Sequence, residues 1–159
     1  LYLPPGRTVE LTAEIDSEFA FGGADADGRY PVRLFRPDEM RSEVRGGGGA
    51  TRQVNHVLAY PLPAERLILY EVYIPRGTWA GWPPHRHDGV EGSPYLEETY
   101  YFRLDRPEGY VLHRNFNDGS APDGEAPEFD EVSVAHDGDL VLFVIASGLA
   151  VSPDALVLP

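Results

Sequence analysis

Cysteine is absent from the 159 residues. Disulfide staples and thiolate-bound zinc are thereby excluded, and any metal must be held by His, Asp or Glu. Long apolar runs are absent too: nothing approaches the roughly 20 residues of a membrane span, and no charged segment followed by an apolar one opens the chain. The resulting expectation is a cytoplasmic protein with no membrane partner. Positive charge is scarce, with 13 Lys+Arg against 26 Asp+Glu and a formal net charge of −13. Such a surface repels phosphate backbones and anionic lipids, so nucleic acid is not expected as a partner. The same repulsion acts on a small anionic substrate, so a pocket for one must carry its own arginines or a metal ion.

Proline and glycine are plentiful, at 15 and 17 residues. They punctuate the chain and leave little room for a long uninterrupted helix. Hydrophobic residues at 42% and charged residues at 25% lie near the globular average, so a folded core is expected rather than disorder. A domain of this length hides about 70% of the surface its unfolded chain exposes, and one principal domain is the expectation. Thr8 to Ile15 (TVELTAEI) alternates apolar and polar residues with period two, as a half-buried strand does. Turn formers break the pattern from Gly22 to Gly28. Pro31 to Arg45 mixes a strand-like start with a helical turn at Pro37 to Met40, and the glycines Gly46 to Gly49 read as a surface loop or a substrate-facing one. Beyond them lie Thr51–Leu58, Arg66–Ile74, Tyr95–Leu104, Gly109–Asn115, Val132–Ala135 and Asp139–Ala146. Each is short, rich in β-branched or aromatic residues, and fenced by Gly, Pro or Asp. Short strands at even spacing point to an all-β sandwich, jelly roll or barrel.

The densest chemistry is Trp82-Pro83-Pro84-His85-Arg86-His87-Asp88, followed by Tyr95-Leu96-Glu97-Glu98-Thr99-Tyr100-Tyr101-Phe102. On a strand His85 and His87 would share a face, because side chains alternate with period two. A carboxylate from the next strand could complete a two-His-one-carboxylate set with open positions for a substrate. Glu97 and Glu98 face opposite sides of their strand, so only one can join the histidines. A pair of solvated histidines at a strand edge is the competing reading. Such donors suit Zn, Fe, Mn, Co or Ni without choosing among them.

GTWAGWPPHRHD, YLEETYYFRLDRPEGYVLHRNF and VAHDGDLVL, with TRQVNHVL upstream, resemble the 5-deoxy-glucuronate isomerases of myo-inositol catabolism. These are bicupins related to the uronate ketol-isomerases of pectin breakdown, and the likeness runs from about Leu1 to Leu142. It implies an all-β cupin, a jelly-roll β-barrel, incomplete at its C-terminus. It also implies three stretches: 1–22 as the last strands of a first cupin half, 23–50 as a Gly-rich connector, and 51–159 as the second cupin domain. The implied metal ligands are His85, His87 and Glu98, holding a divalent ion, zinc first and Mn, Fe, Co or Ni otherwise. The implied reaction is an aldose–ketose isomerisation of a uronic acid.

For proton transfer Glu97 and His56 are candidates, a metal-bound hydroxide being the third; His56 is as well accounted for as a core or surface histidine. Arg52 and Arg103 are candidates to pair the substrate carboxylate, since a guanidinium fork matches its two oxygens. The family's fourth ligand is a histidine in a Gly-Tyr-His-Pro turn, whereas residues 143–150 here read FVIASGLA and no histidine follows His136. His113 reads as structural and His136 as a solvated turn residue. The open edges of an incomplete barrel make a homodimer the expected assembly. A non-catalytic cupin that binds a sugar acid, and another metal-dependent cupin enzyme such as a dioxygenase, are the competing functions.

Overall fold

The computed structural model describes residues 1–59, 61–85, 96–116, 130–136 and 140–148, with only the backbone described for 82–85, 114–116, 130–136 and 140–148. Eight strands follow in chain order: β1 Arg41–Arg45, β2 Arg52–Leu58, β3 Leu67–Ile74, β4 Trp79–His85, β5 Leu96–Leu104, β6 Tyr110–Phe116, β7 Asp130–His136 and β8 Leu140–Gly148. The only helical pieces among the described residues are single 3₁₀ turns at Pro37–Glu39 and Gly48–Ala50. The all-β expectation is met.

Two antiparallel sheets form, one in the order β1-β2-β3-β8-β5 and one in the order β4-β7-β6. The alternation of β3 shows why. Ile68, Tyr70, Val72 and Ile74 point to one face and are buried, while Leu67, Leu69, Glu71 and Tyr73 point to the other. In-register residues share a face of a sheet, so the row Arg41, His56, Tyr70, Val144, Tyr100 crosses all five strands on the buried, inner face. Val54, Ile68, Val72, Ile74 and Leu96 form the core on that face, joined by Ala80 from β4 and packed by Val111 from β6. The second sheet therefore covers the inner face of the first. β8 lies inside the larger sheet, paired on one side with β3 and on the other with β5.

A second core lies on the outer face. A register shift in β2 pairs Leu58 with Leu69 instead of carrying on from the His56–Tyr70 pair. This bulge turns Leu58 over to the side of Leu67 and Leu69, where Tyr2 and Phe35 cover it. Residues 1–40 thus drape over the outer face rather than adding strands to it. The strand expected at Thr8 to Ile15 does not form; Val9, Leu11 and Ile15 are exposed. Alternation makes a strand only where a neighbouring backbone supplies hydrogen bonds and a face supplies burial. Within residues 1–40 the one strand-like pairing is a bridge between Tyr2 and Arg33. His136, expected in a turn, is the last residue of β7 and pairs with Tyr110.

Candidate functional site

Glu98 lies on β5, whose burial alternates strictly from Leu96 onward. It is half-buried on the inner face, and one of its oxygens accepts a hydrogen bond from the Tyr100 hydroxyl at 2.6 Å. Tyr100 in turn lies 5.0 Å from the His113 ring of β6, so the covering sheet reaches this row. Glu97 points to the exposed outer face. The sequence argument that the two glutamates face opposite ways corresponds to this geometry.

His85 is the last residue of β4. Between the pairs Ala80–Ser133 and His85–Glu131 the chain advances five residues on β4 but two on β7. Gly81, at φ +66°, and the N–H-free Pro83 and Pro84 account for this break in the ladder. His85 re-enters the pairing after it. Its backbone alone is described, and His87, the other half of the expected two-histidine face, lies outside the described residues. No cluster of three metal-ligating side chains occurs among the described residues. Glu98, a half-buried carboxylate on a covered face with a hydroxyl beside it, has the chemistry of a hard ligand to a divalent ion and fits the role.

His56 is buried on β2, level with Tyr70, whose ring meets it edge-on at 4.9 Å between centroids. Its Nε2 lies 2.9 Å from Glu43 Oε1 on β1. Glu43 is the hub of this corner: Arg45 Nε donates to Oε1 and Arg41 Nη2 donates to Oε2, each at 2.6 Å. The hydrogen bond from His56, outweighing the cost of partial burial, and those from the two arginines bring the Glu43 carboxyl down to about 2. Burial pushes His56 the other way for a base, below its ordinary value, with the Glu43 hydrogen bond opposing. The imidazole is therefore neutral at pH 7 beside an ionised carboxylate.

Arg52 sits on the inner side of β2 but curls back to donate from Nη1 to the Ala50 carbonyl at 3.0 Å. Its pairing with Arg45 and the adjoining register place it level with Leu104 on β5, six residues from Glu98. That is about 20 Å along the strand direction at ~3.4 Å per residue. A small sugar acid at Glu98 is out of its reach in this arrangement. Arg103 lies on the outer face, exposed, and its Nε is 3.2 Å from Glu18 Oε2. Of the expected side chains that are described, the structure thus places Glu98 and His56 on one face, three strand steps or about 14 Å apart across the sheet, and separates Glu97, Arg103 and Arg52 from Glu98.

Tyr70 spans the interval between them. Its hydroxyl is raised by burial first, with Arg45 and Arg41 acting to lower it and Glu43 and Glu98 to raise it. It feels both ends of the row. Sequence reasoning missed Tyr70 and Glu43. The period-two spacing of Arg41, Glu43 and Arg45 was the available signal, since it puts all three on one strand face. The cavity of about 790 Å³ lined by residues such as Leu3, Phe21, Leu58 and Leu67 belongs to the outer face, and none of the expected site residues borders it.

Comparison with known proteins follows the same lines. Residues 1–149 match the KduI/IolB family. A 5-deoxy-glucuronate isomerase of Geobacillus kaustophilus is 36% identical over 144 residues, covering 89% of this chain and 50% of that protein. One from Bacillus subtilis is 32% identical over 126 residues, covering 77% and 46%. The chain spans about half the length of the curated relatives it matches. Among solved structures, the crystal structure of an IolB-like protein from Salmonella typhimurium is 32% identical with a TM-score of 0.67, over 78% of this chain and 52% of that one. The two-sheet architecture is accordingly of the cupin β type.

Proposed function

We propose, from the premise that the chain belongs to the KduI/IolB family, that it serves an aldose–ketose isomerisation of a uronic acid. The substrate is 5-deoxy-glucuronate and the product 5-dehydro-2-deoxy-gluconate, in the breakdown of myo-inositol. The observation that carries this reading is the 36% identity to a relative named as that isomerase, over 89% of the chain. The half-buried carboxylate of Glu98 on the covered face is consistent with it.

A divalent metal ion, zinc first, would be held by His85, His87 and Glu98, and when bound would supply a Lewis acid for the substrate oxygens. The chain's own residues do the rest. The second sheet packs Val111 and Ala80 against the core of the inner face. Tyr100 orients Glu98 by its hydrogen bond. Proton transfer falls to His56, the candidate that is neutral, buried and on the face of Glu98. The reaction removes the proton from C2, passes through an enediol between C1 and C2, and returns a proton to C1, so no oxidant or reductant is consumed. The setting of this chemistry is the cytoplasm, and the assembly is a homodimer.

The test is metal content by mass spectrometry on protein purified without chelator, followed by NMR of 5-deoxy-glucuronate turnover. About one equivalent of metal and conversion are expected, both lost in His85→Ala/His87→Ala. A second reading, a cupin that binds a sugar acid without turnover, rests on the lack of histidine in residues 143–150. Metal and ligand binding without conversion would select it; absence of metal in the wild-type chain would end the isomerase reading.

A further inference from the structure

Two polar atoms on the inner face have no protein partner among the described residues. Tyr70 is 5% exposed, yet its hydroxyl takes part in no hydrogen bond there. His56 is 6% exposed, and its one hydrogen bond uses Nε2. Burying a hydroxyl or a ring nitrogen without a partner is unfavourable, because its bonds to water are lost and not replaced. Such atoms in a folded core call for an occupant that supplies what they lack.

The chemistry of each atom is settled by its neighbours. Glu43 is ionised, and a carboxylate can only accept, so the nitrogen facing it carries the hydrogen. A neutral His56 is then bare at Nδ1 and offers an acceptor. Glu43 cannot swing away, because Arg41 and Arg45 hold its two oxygens from the same strand. Tyr70 offers the complementary donor from the adjacent strand, in ring contact with His56. One donor and one acceptor carried by rings in contact on adjacent strands match hydroxyl groups, which both donate and accept.

We infer that Tyr70 and His56 form a hydroxyl-recognition pair for a sugar acid, with Glu43 as the positioning residue that fixes the His56 tautomer. The inference rests on the isomerase reading for its ligand and adds Tyr70 and Glu43 to it. Recognition by the pair is non-covalent, and the proton transfer assigned to His56 is a separate step.

The experiment uses the full chain loaded with metal, labelled with ¹⁵N-histidine, and D-glucuronate as the probe. A His56→Gln spectrum assigns the resonances. His56 is expected as the Nε2–H tautomer at pH 7, with glucuronate shifting Nδ1; Glu43→Gln is expected to give a mixture of tautomers. Tyr70→Phe removes only the hydroxyl and is expected to weaken glucuronate binding about 3–10-fold, the worth of one neutral hydrogen bond. Its thermal midpoint should stay level or rise, because the lost hydroxyl bonded nothing in the fold. An Nδ1–H tautomer in the wild type, no Nδ1 response to glucuronate, or a lower midpoint with unchanged affinity would each overturn the pair. Failure of metal-loaded wild type to isomerise 5-deoxy-glucuronate would count against the enzyme reading alone, since the glucuronate-induced shift needs no turnover.

Discussion

Glu65 illustrates how much one side chain decides. Its carboxylate is 3% exposed and accepts from the backbone N–H groups of Asp27, Gly28 and Arg29 at 2.7, 2.8 and 2.9 Å. Three consecutive amides converge because Gly28 takes φ +85°, a conformation costly for a residue with a Cβ. These bonds, Arg29's first and then those of Asp27 and Gly28, hold the Glu65 carboxyl below its usual range despite burial. A carboxyl whose folded pKa is depressed stabilises fully above its unfolded value, near 4.3, and loses that contribution as the pH falls through the folded one. The attachment of residues 20–35 to the sheet should therefore persist at pH 5 and be released only in stronger acid. Glu65→Gln should release it at neutral pH, because an amide presents a donor where three donors already point. Hydrogen exchange checks this: amides 27–29 should lose protection in the variant while those of β3 keep theirs. Equal protection at 27–29 would show the segment held by Tyr2 and Phe35 alone.

At the scale of elements, the glycine run turns out to be a hairpin. Gly46 to Gly49 connect β1 to β2 through the 3₁₀ turn Gly48–Ala50, and that turn contacts β4. Gly46 has φ +76°, and a Cβ there would stand 2.2 Å from the Ala50 carbonyl oxygen. Backbone, not a mobile side chain, would have to yield. Gly46→Ala should thus destabilise by roughly 2–3 kcal/mol, whereas Gly47→Ala, with open space around it, should change stability far less. Denaturant midpoints at unchanged m-value would measure both. If the pair behaved alike, the hairpin would have to be flexible in solution.

The same element shows what was legible in sequence. Period-two alternation found β2, β3 and β5 because each has one buried face, and the prolines and glycines marked their ends. It failed at Thr8–Ile15, where the alternation is just as regular but no neighbouring strand among the described residues completes the ladder. Burial of the opposite kind hid β1: RSEVR has charges on the face that turns inward, and only pairing with β2 makes Arg41, Glu43 and Arg45 a cluster around His56. That Glu98 and Glu97 take opposite faces was legible from the alternation of their strand. The strand level of Arg52 and the face of Arg103 were not, since both depend on the pairing of distant strands, which composition does not contain.

For the molecule as a whole, charge is the dominant fact. Every one of the 13 basic residues is arginine, against 26 acids and a net charge of −13. Several arginines are already paired, as in Arg29–Asp27, Arg33–Glu39 and Arg103–Glu18. All three pairs are largely exposed, and such pairs contribute about 0–1 kcal/mol each. Unpaired acids repel one another in the compact state more than in the expanded chain. Salt acts on both terms with opposite sign: it weakens the exposed pairs and screens the general repulsion, with a Debye length near 10 Å at 0.1 M. Because acids outnumber bases two to one, repulsion should win. Raising sodium chloride from 10 mM to 300 mM at pH 7.5 should lift the thermal midpoint by about 2–4 °C, the shift expected for roughly 1 kcal/mol in a domain of this size. A fall in the midpoint would mean that the arginine pairs, not the net charge, govern the stability of the fold. In that case Arg33→Gln and Arg103→Gln should each remove part of the salt dependence.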